Sequence, residues 1–293
     1  MRTLASLILL VALASITTGA SAQNLEGFDD GGTVVRPSPH TGMQLLRSFY
    51  FRYRSDDHHL QAIGVTPDRP AFQQAQCIFQ DHNGDDDYYF HAVQQDVFPF
   101  GSAAYFYGRD ICRGSCTRAI PRPSGDYVFV LRGFYMYFQG DDHHLDQIKL
   151  MENNGMLTVA FNDKNDDDNF IWEVQYAYVP RSRFAALGER SGMARSAVGT
   201  AIPGGVGVIR GFDLNFRSDD HHIRELGVFM SGTGSLDVYF GDKNGDDLFD
   251  WRVRWGVLGS GALSTAAVKF DDLTLGSGTL STAAVKFDDL TLQ

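Results

Sequence analysis

The chain has 293 residues, 43% of them apolar and 13% aromatic, with 31 glycines and a formal charge of −11. That apolar share supports a packed core and excludes a disordered chain, while an acidic balance without a basic stripe argues against nucleic-acid binding. Abundant Phe, Tyr and Gly, with helix formers not dominant, point to strands and turns.

At the start, Arg2 precedes an apolar run from Leu4 to Ile16 and then Ala20-Ser21-Ala22, the small-x-small pattern that signal peptidase recognises. The run is too short to span a bilayer and no second one follows. Residues 1–22 are therefore expected to be a cleaved secretory signal, with a secreted or periplasmic product beginning at Gln23. Losing Arg2 takes the formal charge from −11 to −12. Residues 23–42, rich in Gly, Asp and Pro, read as a loose leader.

A four-part phrase then occurs three times, over residues 43–98, 125–180 and 206–258. Its first part alternates with period two: Phe49, Phe51, Tyr53, then Phe134, Met136, Phe138, then Phe212, Leu214, Phe216. An Asp-Asp-His-His turn follows, and then a second apolar stretch. The third part alternates as well, through Ala75, Cys77, Phe79, through Leu157, Val159, Phe161, and through Leu236, Val238, Phe240. After an Asp-rich loop the fourth part reads Phe170, Trp172, Val174, Tyr176 and Phe249, Trp251, Val253, Trp255, fading in the first copy after Tyr88 and Phe90. The expectation is an all-β protein of three homologous four-stranded antiparallel units, β-sandwich-like or a pseudo-threefold assembly, with no transmembrane helix. Four short strands cannot easily bury both faces, so the units should pack on one another or recruit strands from the linkers.

Those linkers, 99–124 and 181–205, read as irregular, the second with room for a short helix. Three cysteines are an odd count for an exported chain. Cys77 falls where the other copies have Val159 and Val238 and is expected to be a buried thiol. Cys112 and Cys116, in the first linker, are expected to form a local disulfide. In the C-terminal segment, 259–293, Gly259 to Leu275 recurs as Gly276 to Leu292 with one difference, Ala262 against Thr279. One copy suffices to supply a finishing strand, which leaves the second redundant.

Seventeen of the 36 acidic residues lie in the three turns and the three Asp-rich loops, so the acidity is local. The loops place oxygen-bearing side chains at alternate positions: Asp81, Asn83, Asp85, Asp86; Asp163, Asn165, Asp167, Asp168; and Asp242, Asn244, Asp246, Asp247. This spacing resembles the start of EF-hand and dockerin calcium loops, and a calcium ion needs six to eight hard oxygen ligands. Position 12 is Ala92, Val174 and Val253 and never the bidentate Glu, and the flanks are strands, so these are not EF-hands. The missing ligands are expected from Asp56, Asp57, Asp141, Asp142, Asp219 and Asp220 of the turns, which recur in step with the loops. Clustered carboxylates repel by roughly 1 to 3 kcal/mol per near pair, and a bound cation offsets that cost. Calcium is thus expected over plain solvated turns, although turns favour Asp, Asn and Gly in any case.

Six of the nine histidines sit in the turns. Neighbouring strand residues face opposite ways, so a His pair rarely chelates one ion. A three-His zinc centre would need His58, His143 and His221 to meet around a threefold axis. The plainer reading is that one His of each pair packs under its turn. Neither a Gly-x-Ser-x-Gly nor a phosphate loop nor a His-Glu-x-x-His is present.

The expected function is a secreted, calcium-stabilised repeat protein with a binding or structural role. Its partner would be a polysaccharide or cell surface, since repeated sites serve avidity, with no nucleic acid and no membrane insertion. Tyr135, Tyr137 and Tyr239 are candidate sugar-stacking faces. The closing Trp-x-Val-x-Trp, Trp251 to Trp255, resembles the final strand of H-type lectins over those residues alone, and assigns no family. Two alternatives stand beside this: a metal-dependent hydrolase using the Asp-Asp-His-His turns, and a β scaffold without metal. Equal retention of all three copies argues against catalysis, because an enzyme generally needs one asymmetric pocket.

Overall fold

The structure, a computed structural model, describes residues 32–37, 43–53, 60–66, 74–81, 88–97, 106–120, 122–138, 145–163, 170–217, 223–242, 245, 248–259 and 263–270. Strands make up most of these residues, and there is no α-helix among them. In chain order they are β1 (Gly32–Pro37), β2 (Met43–Tyr53), β3 (Leu60–Thr66), β4 (Gln74–Asp81), β5 (Tyr88–Val97) and β6 (Phe106–Arg113). Next come β7 (Cys116–Ala119), β8 (Tyr127–Phe138), β9 (Leu145–Asn153), β10 (Met156–Asp163), β11 (Phe170–Pro180) and β12 (Phe184–Ala194). The last six are β13 (Val198–Ala201), β14 (Val206–Phe216), β15 (Ile223–Met230), β16 (Ser235–Asp242), β17 (Phe249–Leu258) and β18 (Leu263–Phe270). Among the described residues no helix is long and apolar enough to cross a membrane.

The linkers are more regular than their composition implied. They contribute β6, β7, β12 and β13, and the helical element there is one 3-10 turn, Arg181–Arg183. β1 lies within the segment expected to be a loose leader and pairs with β4. Cys116, which opens β7 after a two-residue link from β6, is disulfide-bonded, and Trp172 Nε1 donates to Gly114 O in that link at 2.9 Å.

The strands form three antiparallel six-stranded sheets. Their orders are β1-β4-β3-β8-β11-β6, β7-β10-β9-β14-β17-β12 and β13-β16-β15-β2-β5-β18. Adding six to each strand number of the first order gives the second, and adding six again, counting round from 18 to 1, gives the third. One connection rule therefore builds every sheet. The four strands of a phrase do not share a sheet, as a four-stranded unit would have them do. The first and fourth parts pair in one sheet, as β2 with β5, and the second and third pair in another, as β3 with β4.

The middle strands β2, β8 and β14 pack on one another at the centre. There Phe49, Phe134 and Phe212 meet in a triangle, with ring centroids 5.0, 5.0 and 5.5 Å apart. All three are fully buried in a core that spans all three sheets. Tilted and edge-on pairs at such distances are worth about 0.5 to 1.5 kcal/mol each beyond the area they bury.

A break of phase precedes each of these rings. Leu46 and Phe49 are three residues apart, yet both point into the same core, and Leu131 with Phe134 and Ile209 with Phe212 do likewise. Strict alternation forbids that, and a β-bulge restores it by absorbing one residue. The register indeed shifts between Leu46 and Ser48, opposite Leu131 and Gly133, and between Ile209 and Gly211. The residue absorbed is an arginine each time: Arg47, Arg132 and Arg210.

Candidate functional site

The Asp-Asp-His-His turn of each phrase leaves the end of one strand and enters the start of the next, as does the Asp-rich loop. The bracketing residues are register partners. Tyr53 pairs with Tyr88 and Leu60 with Asp81; Phe138 with Phe170 and Leu145 with Asp163; Ile223 with Asp242 and Phe216 with Phe249. Directly opposed antiparallel residues have Cα atoms about 4.5 to 5.5 Å apart. Both connections of a phrase thus run between the same two paired sites, one on each of two sheets, in opposite directions.

A second bulge sits at this end of every hairpin. Register shifts fall between Leu60 and Ala62, between Ile223 and Glu225, and opposite the step from Leu145 to Gln147. The bulged residues are Gln61, Asp146 and Arg224. Each follows the His-His pair by two positions and comes directly after the residue that pairs with the first Asp of its Asp-rich loop. Bulges of this kind bend a strand and re-aim the chain that leaves it.

The connections also match in length. Six residues separate Tyr53 from Leu60, Phe138 from Leu145 and Phe216 from Ile223, and six separate each of Asp81, Asp163 and Asp242 from the next strand. Every bracket carries aromatic residues: Tyr53, Phe79, Tyr88; Phe138, Phe161, Phe170; and Phe216, Phe240, Phe249. In the third copy they form a buried floor, with Phe249 4.4 Å from Phe240 and 4.6 Å from Phe216 between ring centroids. Arg217 N donates to Leu248 O at 2.9 Å, and Arg217 forms an ion pair with Asp250, extending that pairing into the foot of the loops. Gly245, the fourth loop position, is exposed with φ +74°, a conformation that favours glycine.

Of the residues expected to bind metal, Asp81, Asp163 and Asp242 end β4, β10 and β16. Asp56, Asp57, Asn83, Asp85, Asp86, Asp141, Asp142, Asn165, Asp167, Asp168, Asp219, Asp220, Asn244, Asp246 and Asp247 lie outside the described residues, as do His58, His143 and His221. No cluster of three or more His, Cys, Asp or Glu suited to a metal occurs among the described residues.

The candidate stacking tyrosines are half-buried in the outer sheet faces. Tyr239 meets Tyr50 edge-on at 4.9 Å, and Tyr50 OH donates to Glu225 Oε2 at 2.7 Å. Burial, then the Glu225 hydrogen bond, pushes the Tyr50 phenol above its ordinary 10.0. Burial also raises Tyr135 and Tyr239. Tyr50 and Tyr135 pair with Gly227 and Gly64, and a Cβ on either glycine would fall 2.5 or 2.7 Å from the carbonyl oxygen of Phe49 or Phe134. In the second phrase the corresponding residue is Lys149, which pairs with Asp213 in the ladder and bonds it at 3.1 Å.

The three bulged arginines are a feature that pattern reading passed over. Arg132 Nε donates to Gln44 O and Arg210 Nε to Phe129 O, both at 3.3 Å, so each reaches back to the preceding central strand. Arg47 Nη2 donates to Met230 O at 3.4 Å. Burial first, then nearby Arg254, lowers the Arg210 pKa below the ordinary guanidinium value. The sequence signal was present in Leu46-Arg47-Ser48-Phe49, Leu131-Arg132-Gly133-Phe134 and Ile209-Arg210-Gly211-Phe212: apolar residues three apart, where a strand demands two.

No known family model matches the chain, and a search of curated proteins returns no match.

Proposed function

We propose that the protein is three homologous repeats around a pseudo-threefold axis, each presenting one calcium site made of an Asp-Asp-His-His turn and an Asp-rich loop. The observation that carries this reading is the common bracket. In all three phrases the two connections have the same lengths, paired end residues, a bulge at the same place and aromatic residues in the bracketing sequence. Turns serving only to reverse the chain are under no requirement to agree in all four respects. The triangle of Phe49, Phe134 and Phe212 supports the shared axis.

On this reading Asp56, Asp57 and the Asp81–Asp86 oxygens hold one ion, with equivalent sets in the other two phrases. Calcium suits them because its coordination is flexible and served by carboxylates and amide oxygens. Three equivalent sites fit a repetitive target, and a secreted polysaccharide- or surface-binding role follows from the avidity that three weak contacts give.

The mature protein is melted in chelator and again with calcium added back, and bound ions are counted by equilibrium dialysis. The expected result is a rise of several degrees, saturating at three ions per chain. Substituting Asp242 and Asp246 with Asn should remove one ion and leave two. An unchanged melting temperature with no bound calcium overturns the reading, and one zinc per chain assigns the metal to His58, His143 and His221. Calcium-dependent retention on insoluble polysaccharide tests the partner class.

A further inference from the structure

β18 occupies the last place in its sheet, against β5. The equivalent places in the other two sheets are filled by β6 against β11 and β12 against β17, each from the middle of the chain. The slot beside β5 is the one filled from the C-terminal segment, so it closes the cycle of shared strands. Its register sets Ala267 opposite Gln95, Val268 opposite Gln94, Lys269 opposite Val93 and Phe270 opposite Ala92.

The filler is present twice. Leu263 to Phe270 is identical to Leu280 to Phe287, and identity extends through Leu275 and Leu292. An edge slot recognises its strand by main-chain hydrogen bonds and alternate side chains, and both are the same for the two copies. We propose that the β5 edge accepts either copy within one molecule, so that residues 280–287 exchange with 263–270 in the same register. Ala284, Val285, Lys286 and Phe287 then take the partners Gln95, Gln94, Val93 and Ala92.

The two arrangements differ mainly in the loop they close. From the end of β17 at Leu258, four residues lead to the first copy and 21 to the second. Loop closure weakens with roughly the three-halves power of length, which favours the first copy by about tenfold. The second arrangement is thus a standing minority, open to trapping.

Two cysteine pairs test this in the full chain: Gln95→Cys with Ala267→Cys, and Gln95→Cys with Ala284→Cys. Mild oxidation should give a disulfide-linked monomer from both, with the second forming about tenfold more slowly. A second pair that stays reduced, or that links only between chains, overturns the proposal. Proline provides an independent test, because it removes a ladder N–H. Val268→Pro alone and Val285→Pro alone should leave the melting temperature nearly unchanged, whereas the double variant should lose several degrees. A Val268→Pro variant that melts as low as the double variant means that the second copy cannot fill the slot.

Discussion

At the residue scale, the centre of the molecule rests on three phenylalanines. Phe134 touches both Phe49 and Phe212, so truncating it removes two ring contacts and opens a void where all three sheets meet. Phe134→Ala is expected to cost about 3 to 5 kcal/mol in urea unfolding, in the range of large-to-small core substitutions. A cost near that of a surface change would mean that the three strands do not share a core. The tyrosines set a limit on alkaline tolerance. Tyr50, Tyr135, Tyr178 and Tyr239 are all held above the ordinary 10.0 by burial, so the folded state binds their protons more tightly than the unfolded chain does. Their contribution is complete below pH 10.0 and falls as pH rises toward the folded values. A fraction of the phenolate absorbance should appear only well above pH 10.0, in step with the change in circular dichroism. Ionisation of all twelve tyrosines near that pH with the fold intact would contradict the burial.

At the element scale, two bulges do different work on each phrase. The inner one, at Arg47, Arg132 or Arg210, shifts the side-chain phase so that residues three apart share the core. It also sends a guanidinium to a carbonyl of a neighbouring strand. The outer one, at Gln61, Asp146 or Arg224, lies where the Asp-Asp-His-His turn joins its hairpin. Between the bulges the ladder is regular. The hairpin of β9 and β10 closes by Asn154-Gly155, with φ of +51° and +82°, the left-handed pair that a two-residue turn requires. Glu152 Oε1 accepts from Gly155 N at 2.6 Å and holds that turn. That hairpin is thus fixed at both ends, by a two-residue turn at one and a bulge at the other.

At the scale of the whole molecule, every sheet joins strands from two successive phrases. β8 and β11 sit beside β3 and β4, β14 and β17 beside β9 and β10, and β2 and β5 beside β15 and β16. No phrase can leave without opening two sheets, so calorimetric unfolding should show one transition with matching calorimetric and van't Hoff enthalpies. Two or three resolved transitions would mean that the phrases behave as separate beads.

The sequence by itself determined the all-β character, the strands β2 to β5, β8 to β11 and β14 to β17, and the recurrence of acidic turns and loops. It could do so because alternation of apolar and polar residues and the Asp, Asn and Gly of turns are local signals. It also contained the phase break before Phe49, Phe134 and Phe212, which is legible once a bulge is allowed. Only the tertiary structure decided which strands lie side by side. Strand pairing across a connection carries no local mark, so a phrase read as one four-stranded unit divides between two sheets. The short strands β7 and β13 were hidden for a related reason. They are edge strands of four residues each with no fully buried side chain, too short to register as alternation, and they gain their partners from β10 and β16.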